Sequence, residues 1–193
     1  MTETIPTRKP VLIIGAGISG LAIARLLTER GIPNIVFEAS PAGQSLDYAI
    51  TLRDWVYKPL LSSIGGVSTD TLEKAVAPDR HVGGTGWMDQ TLRDVRTGKT
   101  LMAPEPARAG TSQQARFRAN RNALKIWLRD FGQGKLDVRY RHKLKSLQGE
   151  LGSVKVRFEN GVHCEGSLIV AADGVHSTGK LMLPQRLMAT WMI

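Results

Sequence analysis

A glycine-rich hexapeptide near the N-terminus constrains the fold of this chain more than any other feature of the sequence. Its residues are Gly15, Ala16, Gly17, Ile18, Ser19 and Gly20. A short apolar run at 11–14 precedes it, and a helical pattern from Ser19 to Arg30 follows it. A second apolar run at 35–37 then ends in Glu38, close to the spacing of about 20 residues expected in a dinucleotide-binding fingerprint. This order predicts a β-α-β unit in a Rossmann-like parallel sheet.

Each residue of that fingerprint has a physical reason. Gly15 permits a tight turn, and Gly17 has no Cβ, so the backbone can approach a pyrophosphate. Gly20 lets the helix pack closely on the strand, and the N-terminus of the helix presents free N–H groups to the phosphates. Glu38 can accept hydrogen bonds from a ribose diol. The alternative is a glycine-rich turn beside a surface glutamate, and the motif by itself does not separate NAD from FAD.

Bulk properties narrow the class of protein. The chain has 193 residues, which suggests one domain or slightly more, and no apolar run long enough for a transmembrane helix. The polar N-terminus lacks the pattern of a secretory signal. Cys164 is the single cysteine, so an internal disulfide is excluded and a reducing, cytoplasmic location is expected. With one thiol and four scattered histidines, we expect no metal site.

The net charge of +9 raises the question of nucleic-acid binding. The basic residues are dispersed, apart from 116–129 and 139–145, and both stretches also carry the apolar periodicity of a helix or strand. A solvated basic face therefore explains them better than a nucleic-acid interface. A basic surface also suits a domain that binds an anionic dinucleotide.

Further elements follow from periodicity and turn residues. We expect strands at 48–52, 138–147 and 154–158. The stretch 82–102 should contain strand-like pieces around 83–86 and a turn at Thr97-Gly98, and a loop should follow at 103–114. We expect helices at 54–64, 68–74 and 120–131, the last with Asn120 as N-cap. Asn160-Gly161 indicates a hairpin turn, and the return strand leads through Cys164 to an apolar run at 168–170.

The segment that follows this last strand carries a resemblance to a known family. Ala171-Ala172-Asp173-Gly174, with Ser177 and Lys180 behind it, resembles the second signature of the group A flavin monooxygenases, the aromatic-ring hydroxylases. Asp173, Gly174 and Ser177 match that signature, whereas Ala171 replaces a glycine and Lys180 an arginine. The resemblance implies that Asp173 and Gly174 lie near the FAD pyrophosphate. Lysine keeps the positive charge but not the planar fork of arginine.

Three further positions are assigned through the same resemblance. Arg121, with Arg118 before it, resembles the family's arginine at the start of a helix, which contacts FAD. A cation at a helix N-terminus is disfavoured by the dipole, which supports a ligand role over that of an exposed arginine. Leu144 lies in a segment that resembles the strand beside the adenine, and Ala49 matches a backbone contact to the flavin.

The resemblance spans about residues 10–184 and implies an α/β fold: a Rossmann-like, glutathione-reductase-type parallel sheet with a β-meander around 138–164. The implied domain is one incomplete FAD-binding domain over 1–193, in which 45–110 contributes part of a substrate-domain sheet. The implied activity is an NAD(P)H-using monooxygenase with FAD as cofactor, which hydroxylates or epoxidises a small organic substrate with molecular oxygen. No catalytic acid or base can be assigned.

One departure bears on activity. The family's third signature, a Gly-Asp before a helix, is not found before Ile193, and 185–193 does not resemble the family's continuation. We therefore expect a truncated N-terminal portion. A catalytically inactive flavin-binding remnant and a NAD(P)-binding Rossmann protein are the alternatives, and exposed edges predict poor solubility.

Overall fold

The strands that the structure describes form one parallel sheet and three small antiparallel sheets. The computed structural model describes residues 8–44, 48–87, 91–103, 116–132, 134–150, 152–174 and 177. The predictions made for Lys180, for 183–193 and for most of the loop at 103–114 lie outside these residues. The chain divides into two units, which are described separately: unit 1 is Met1–Leu46 with Lys125–Ile193, and unit 2 is Asp47–Leu124.

Unit 1 is built on the parallel sheet. Its strands are β1 (Val11–Ile14), β2 (Asn34–Phe37), β7 (Val138–Arg139) and β11 (Leu168–Ala171), in the spatial order β11-β1-β2-β7. Helix α1 (Ile18–Thr28) connects β1 to β2 and packs on both. All four residues of β1 are buried, as expected for a central parallel strand covered on both faces. The predicted Rossmann-like α/β fold is confirmed.

An antiparallel sheet of three strands covers one face of the parallel sheet. Its strands are β8 (Leu144–Glu150), β9 (Ser153–Phe158) and β10 (His163–Gly166), in the order β10-β9-β8. Side chains that alternate along the strands meet between the two sheets and form a core of Leu12, Ile14, Phe37, Leu144, Val154, Val156 and Phe158. The predicted turn at Asn160-Gly161 is confirmed, with φ of 85° at the glycine.

The expectation of a single strand over 138–147 was wrong. Strand β7 ends at Arg139 and belongs to the parallel sheet, whereas β8 begins at Leu144 and belongs to the antiparallel sheet. Arg141 lies between them with φ of 61°, a left-handed conformation that ends one extended segment and redirects the chain. The apolar alternation continued across this turn and concealed it.

Unit 2 contains short elements. Strand β3 (Ala49–Arg53) pairs with β6 (Arg116–Asn120), and β4 (Leu92–Arg93) pairs with β5 (Thr100–Met102). Helices α2 (Asp54–Ser63) and α3 (Thr69–Val76) follow β3. The N–H of Thr71 donates to the Ser68 hydroxyl, which caps α3. The strand-like pieces expected within 82–102 are present as β4, β5 and a bridge between Trp87 and Phe117. The glycine segment 83–86 itself is not a strand, since Gly83 and Gly86 have φ of 81° and 71°.

Helix α4 (Arg121–Asp130) follows β6 and ends in unit 1. The side chain of Asn120 accepts a 2.8 Å hydrogen bond from the N–H of Ala123, so the predicted N-cap is confirmed. At the other end of α4, the buried guanidinium of Arg25 donates to the carbonyl oxygens of Leu128, Arg129 and Gly134 at 2.7–3.0 Å. The carbonyls of Leu128 and Arg129 belong to the last turn of the helix, which leaves them without intrahelical partners, and that of Gly134 lies beyond the helix end.

No helix among the residues described above is both long and apolar enough to cross a membrane.

Candidate functional site

The predicted fingerprint lies where three parallel strands end at one edge of the sheet. Strands β1, β2 and β11 run in the same direction, with Ile14 in register with Phe37 on one side and with Ala171 on the other. The N–H of Gly15 donates to the carbonyl of Phe37, and the N–H of Ala172 donates to that of Ile14, both at 2.7 Å. This register places the glycine fingerprint and the second signature side by side, although they are far apart in the sequence.

Two of the three fingerprint glycines are required by the fold itself. Gly15 has φ of 105°, and a Cβ there would overlap the carbonyl oxygen of Ala172 and lie 2.8 Å from the Cα of Asp173. A Cβ at Gly20 would overlap the carbonyl oxygen of Gly15. Neither neighbour can move easily, because both are backbone. The turn and the close packing that the sequence predicts for these glycines are confirmed.

Gly17 is different, because nothing in the fold requires a glycine at this position. Its φ of −71° and ψ of 176° are accessible to any residue. A Cβ there would meet a single neighbouring atom, the carbonyl oxygen of Ala172 at 3.9 Å. A methyl group would therefore fit within the protein. Because Gly17 has no side chain, its backbone is open to a group from outside the chain. A pyrophosphate needs such open space to approach the backbone.

The N-terminus of α1 supplies donors at the same place. The N–H of Leu21 donates to the carbonyl of Gly17 at 3.0 Å, so the N–H groups of Ile18, Ser19 and Gly20 precede the first intrahelical bond. No acidic side chain occupies the first turn of the helix. The partial positive charge of the helix end is therefore not offset by its own first turn, and it favours an anion.

Glu38 has a structural role that the sequence did not indicate. One carboxylate oxygen accepts a 2.8 Å hydrogen bond from the N–H of Ala16, and the other accepts a 2.9 Å bond from the N–H of Ser40. The carboxylate therefore joins the end of β2 to the glycine turn. Each oxygen keeps a further lone pair, so Glu38 can still accept from the hydroxyls of a ribose.

The second signature forms a turn directly behind the fingerprint. The hydroxyl of Ser177 donates to the carboxylate of Asp173, and the N–H of Ser177 donates to the carbonyl of Gly174 at 3.1 Å. Gly174 has φ of 91°, which favours glycine. Sequence reasoning missed Ala172, whose carbonyl and methyl groups face Gly15 and Gly20; its small size is the only signal that could have indicated this contact.

Leu144 is part of the core of unit 1. Its side chain is 4% exposed and packs between the two sheets. Only its backbone could serve a ligand, and that role stays a prediction.

Two of the predicted site residues belong to unit 2 and lie together there. Ala49 pairs with Asn120 across β3 and β6, and the N–H of Arg121 donates to the carbonyl of Tyr48 at 2.9 Å. The Arg121 guanidinium lies over the Tyr48 ring, 5.4 Å from its centroid. Arg118 is exposed on β6. The contacts of Arg121 and Ala49 with a cofactor stay predictions.

The described part of the chain holds no group of three or more His, Cys, Asp or Glu side chains arranged to bind a metal ion. The polar groups at the edge of the parallel sheet are backbone N–H groups, which donate hydrogen bonds, and the Glu38 carboxylate, which accepts them. That set fits the phosphates and ribose of a dinucleotide.

Comparison with known families agrees with this geometry. Residues 8–191 match the family described as FAD binding domain. The chain is 56% identical over 169 residues to the FAD-dependent monooxygenase vrtH of Penicillium aethiopicum, covering 88% of this chain and 40% of that protein. It is also 56% identical over 171 residues to the FAD-dependent monooxygenase nscC of Trichophyton equinum, covering 89% of this chain and 94% of that protein.

Several curated relatives are longer than this chain, which spans about 40% of the length of the vrtH protein and of adaC of Aspergillus niger. Among solved structures, the R204Q variant of Klebsiella pneumoniae HpxO complexed with FAD matches with a TM-score of 0.66 and 25% identity, over 88% of this chain and 41% of that one. The 2,6-dihydroxypyridine-3-hydroxylase of Arthrobacter nicotinovorans matches with a TM-score of 0.61 and 22% identity, over 89% and 38%.

Proposed function

Since this chain belongs to the FAD binding domain family, we propose that it binds FAD at the edge of its parallel sheet as part of an NAD(P)H-dependent monooxygenase. The proposed activity is the hydroxylation or epoxidation of a small organic molecule. The relatives that are 56% identical and named FAD-dependent monooxygenases support it. The observation that carries the binding site is Gly17, a glycine that neither backbone conformation nor packing explains.

The residues present fit the parts of FAD. The N–H groups of the first turn of α1 would hold the pyrophosphate at Gly17, as other helix N-termini hold phosphates. Glu38 would accept from the ribose diol while it holds the N–H of Ala16. Asp173 and Gly174 would border the pyrophosphate from the neighbouring turn.

In unit 2, we assign Arg121 to a contact with FAD and the backbone of Ala49 to a contact with the flavin. A guanidinium beside the Tyr48 ring is held in place by a cation–π contact at 5.4 Å, so little side-chain freedom is lost when it meets an anion. This ordering favours a binding role for Arg121.

When bound, FAD supplies the redox chemistry, by which two electrons from NAD(P)H and one molecule of oxygen give an oxygenated product and water. The residues of this chain bind and orient the cofactor. We assign no general acid or base, because no titratable side chain in the described sites has a role in proton transfer that the geometry supports.

The test is a titration of the purified chain with FAD, followed by flavin fluorescence. Gly17→Ala should weaken FAD binding by about tenfold or more, because the methyl group displaces the pyrophosphate and costs at least one charge-assisted hydrogen bond. Its melting temperature without FAD should equal that of the wild type, because the methyl group meets only one atom of the protein.

Gly31→Ala is the matched control. Gly31 lies beyond the other end of α1, has φ of 66° and has no neighbour that a Cβ would meet. This variant should keep its FAD affinity and lose about 1 kcal/mol of stability through left-handed strain. Equal FAD binding by Gly17→Ala and wild type would contradict the proposed site.

NAD(P)H consumption separates the two classes of function. A chain that binds FAD and oxidises NAD(P)H supports the enzyme. A chain that binds FAD without oxidising NAD(P)H supports a flavin-binding remnant, and failure to bind FAD refutes both.

A further inference from the structure

Arg141 has an unusual backbone conformation. Among the described residues it is the only non-glycine with positive φ, at 61°. Left-handed backbone is disfavoured for a residue with a Cβ, and non-glycine residues in such conformations concentrate at functional sites. A glycine would form the same turn without strain. The arginine side chain therefore needs an explanation apart from the fold.

Hydrogen bonds on both sides hold this strained residue in place. Its N–H donates to the carbonyl of Ser40 at 3.2 Å, and its own carbonyl accepts from the side-chain amide of Asn160 at 3.0 Å. The next N–H, that of His142, donates to the carbonyl of Glu38 at 2.8 Å. The turn is thus fixed against the segment 38–40, which follows β2 at the edge where the cofactor site lies.

The charge of Arg141 also differs from that of its neighbours. Arg139 forms an ion pair with Asp137, and Lys143 forms one with Glu159, each at 2.9 Å. The Arg141 side chain is exposed, and within the part of the chain described here it has neither a hydrogen bond nor an ion pair. Among Arg139, Arg141 and Lys143, only Arg141 lacks an ion pair with a described residue.

We propose that Arg141 binds the adenosine half of FAD. The inference rests on the proposed function, in which Glu38 holds the ribose. The N–H of Arg141 donates to the carbonyl of Ser40, and the N–H of the next residue donates to that of Glu38. A planar guanidinium suits the π face of a purine, whereas an ammonium group suits it less well. Strain in the backbone is then the cost of presenting this side chain beside the ribose.

The test compares Arg141→Gly with the wild type in two measurements. Without FAD, the glycine variant should melt at a higher temperature, because the strain is removed. Its affinity for FAD should fall about threefold or more through loss of the cation–π contact. Its affinity for ADP should fall by the same factor, whereas any affinity for FMN, which has no adenosine, should not change.

Two further variants sharpen the result. Arg141→Lys keeps the charge and the strain but loses the planar group, so its FAD affinity should lie between those of wild type and Arg141→Gly. Arg30→Ala removes one positive charge just past the far end of α1 and should leave FAD affinity unchanged.

Unchanged FAD affinity in Arg141→Gly would overturn the proposal, and so would a loss shared equally with FMN or with Arg30→Ala. These outcomes leave the proposed function intact. Failure of the wild type to bind FAD would instead refute the proposed function, and this inference with it.

Discussion

The two units of this chain differ in what they do with their apolar residues. In unit 1 every residue of β1 is buried, and Phe37 and Phe158 are both fully buried between the two sheets with ring centroids 4.4 Å apart. In unit 2 both strands of the β4–β5 hairpin are exposed along their whole length. Most of the large apolar side chains that are exposed belong to unit 2, including Trp55, Leu92, Leu101 and Met102.

The difference teaches where stability and solubility come from. Unit 1 buries the whole of β1 and the rings of Phe37 and Phe158, so the glycine turn and Glu38 follow strands that end in a packed core. Unit 2 has a smaller core around Tyr57 and Phe117, whose rings pack edge to face at 5.2 Å, and it exposes an apolar surface. We therefore expect unit 1 to set the cofactor site and unit 2 to limit solubility.

The largest effect is expected from Arg25→Met, which would break the support of unit 1. The Arg25 side chain is fully buried, donates to three carbonyls and lies 3.6 Å from Glu29. Burial lowers its pKa, and Glu29 opposes this in part. Methionine would remove these hydrogen bonds and the ion pair with Glu29 from a buried site, at a cost of about 3–5 kcal/mol.

Urea denaturation followed by circular dichroism measures this loss. Arg30→Met is the control, because Arg30 is exposed and its side chain donates to the carbonyl of Leu26 within the same helical segment; it should change stability by no more than about 0.5 kcal/mol. Similar stabilities for the two variants would mean that unit 1 does not depend on the hydrogen bonds and ion pair of Arg25.

The next effect concerns pH and unit 2. Glu73 on α3 is 5% exposed, and burial raises its pKa, an effect that a hydrogen bond with the Trp87 side chain offsets in part and that Asp70 increases. The folded state therefore prefers the protonated carboxyl. Glu73 favours folding most below its unfolded pKa of about 4.3, and this contribution is lost as pH rises through the raised folded pKa.

Glu73→Gln should remove this dependence, because the amide is neutral at every pH and can still accept from the indole. Melting temperatures at pH 5 and pH 8 should differ less in the variant than in the wild type. Glu159→Gln, at an exposed ion pair with Lys143, is the control, because it makes the same substitution at an exposed carboxylate. Parallel pH profiles for wild type and Glu73→Gln would show that Glu73 is not buried as described.

The smallest effect on stability, with a visible effect on solubility, is expected from Met102→Lys on β5. The Met102 side chain is 65% exposed, so its replacement should change stability by less than about 0.5 kcal/mol. The soluble fraction at a fixed protein concentration, measured by light scattering, should rise because the apolar surface shrinks. Met102→Leu should not raise it, and a rise in that variant would remove the argument from apolarity.

The sequence predicted unit 1 better than unit 2, for a physical reason. Buried parallel strands such as β1 must be apolar throughout, and the glycines at 15 and 20 are required by turn and packing, so both features are visible in the sequence. The exposed hairpin of unit 2 has no such constraint: β4 has two residues, and neither strand shows a buried face.

Contacts between distant residues were not visible in the same way. The hydrogen bonds of the Arg25 side chain go to backbone carbonyls about a hundred positions away. Every residue has a backbone carbonyl, so no pattern of side chains could indicate these partners. Arg141 lies in a left-handed turn, where a glycine would have indicated a break in the strand. Because the residue is an arginine, β7 and β8 were predicted as one strand. The hydrogen bond from the N–H of Ala16 to Glu38 was not predicted, because the sequence analysis assigned both residues to the cofactor and not to each other.

The register of β11 beside β1 also has a consequence for synthesis. The hydroxyl of Ser167 donates to the carbonyl of Pro10, and these residues are 157 positions apart. The floor of the glycine turn, formed by Ala172 and Asp173, therefore leaves the ribosome long after Gly15, by about 10–30 s at ordinary rates of elongation. During that time β1 has one edge without its final neighbour. The proposed FAD site is among the last parts of unit 1 to assemble, although its most recognisable residues are among the first to be made.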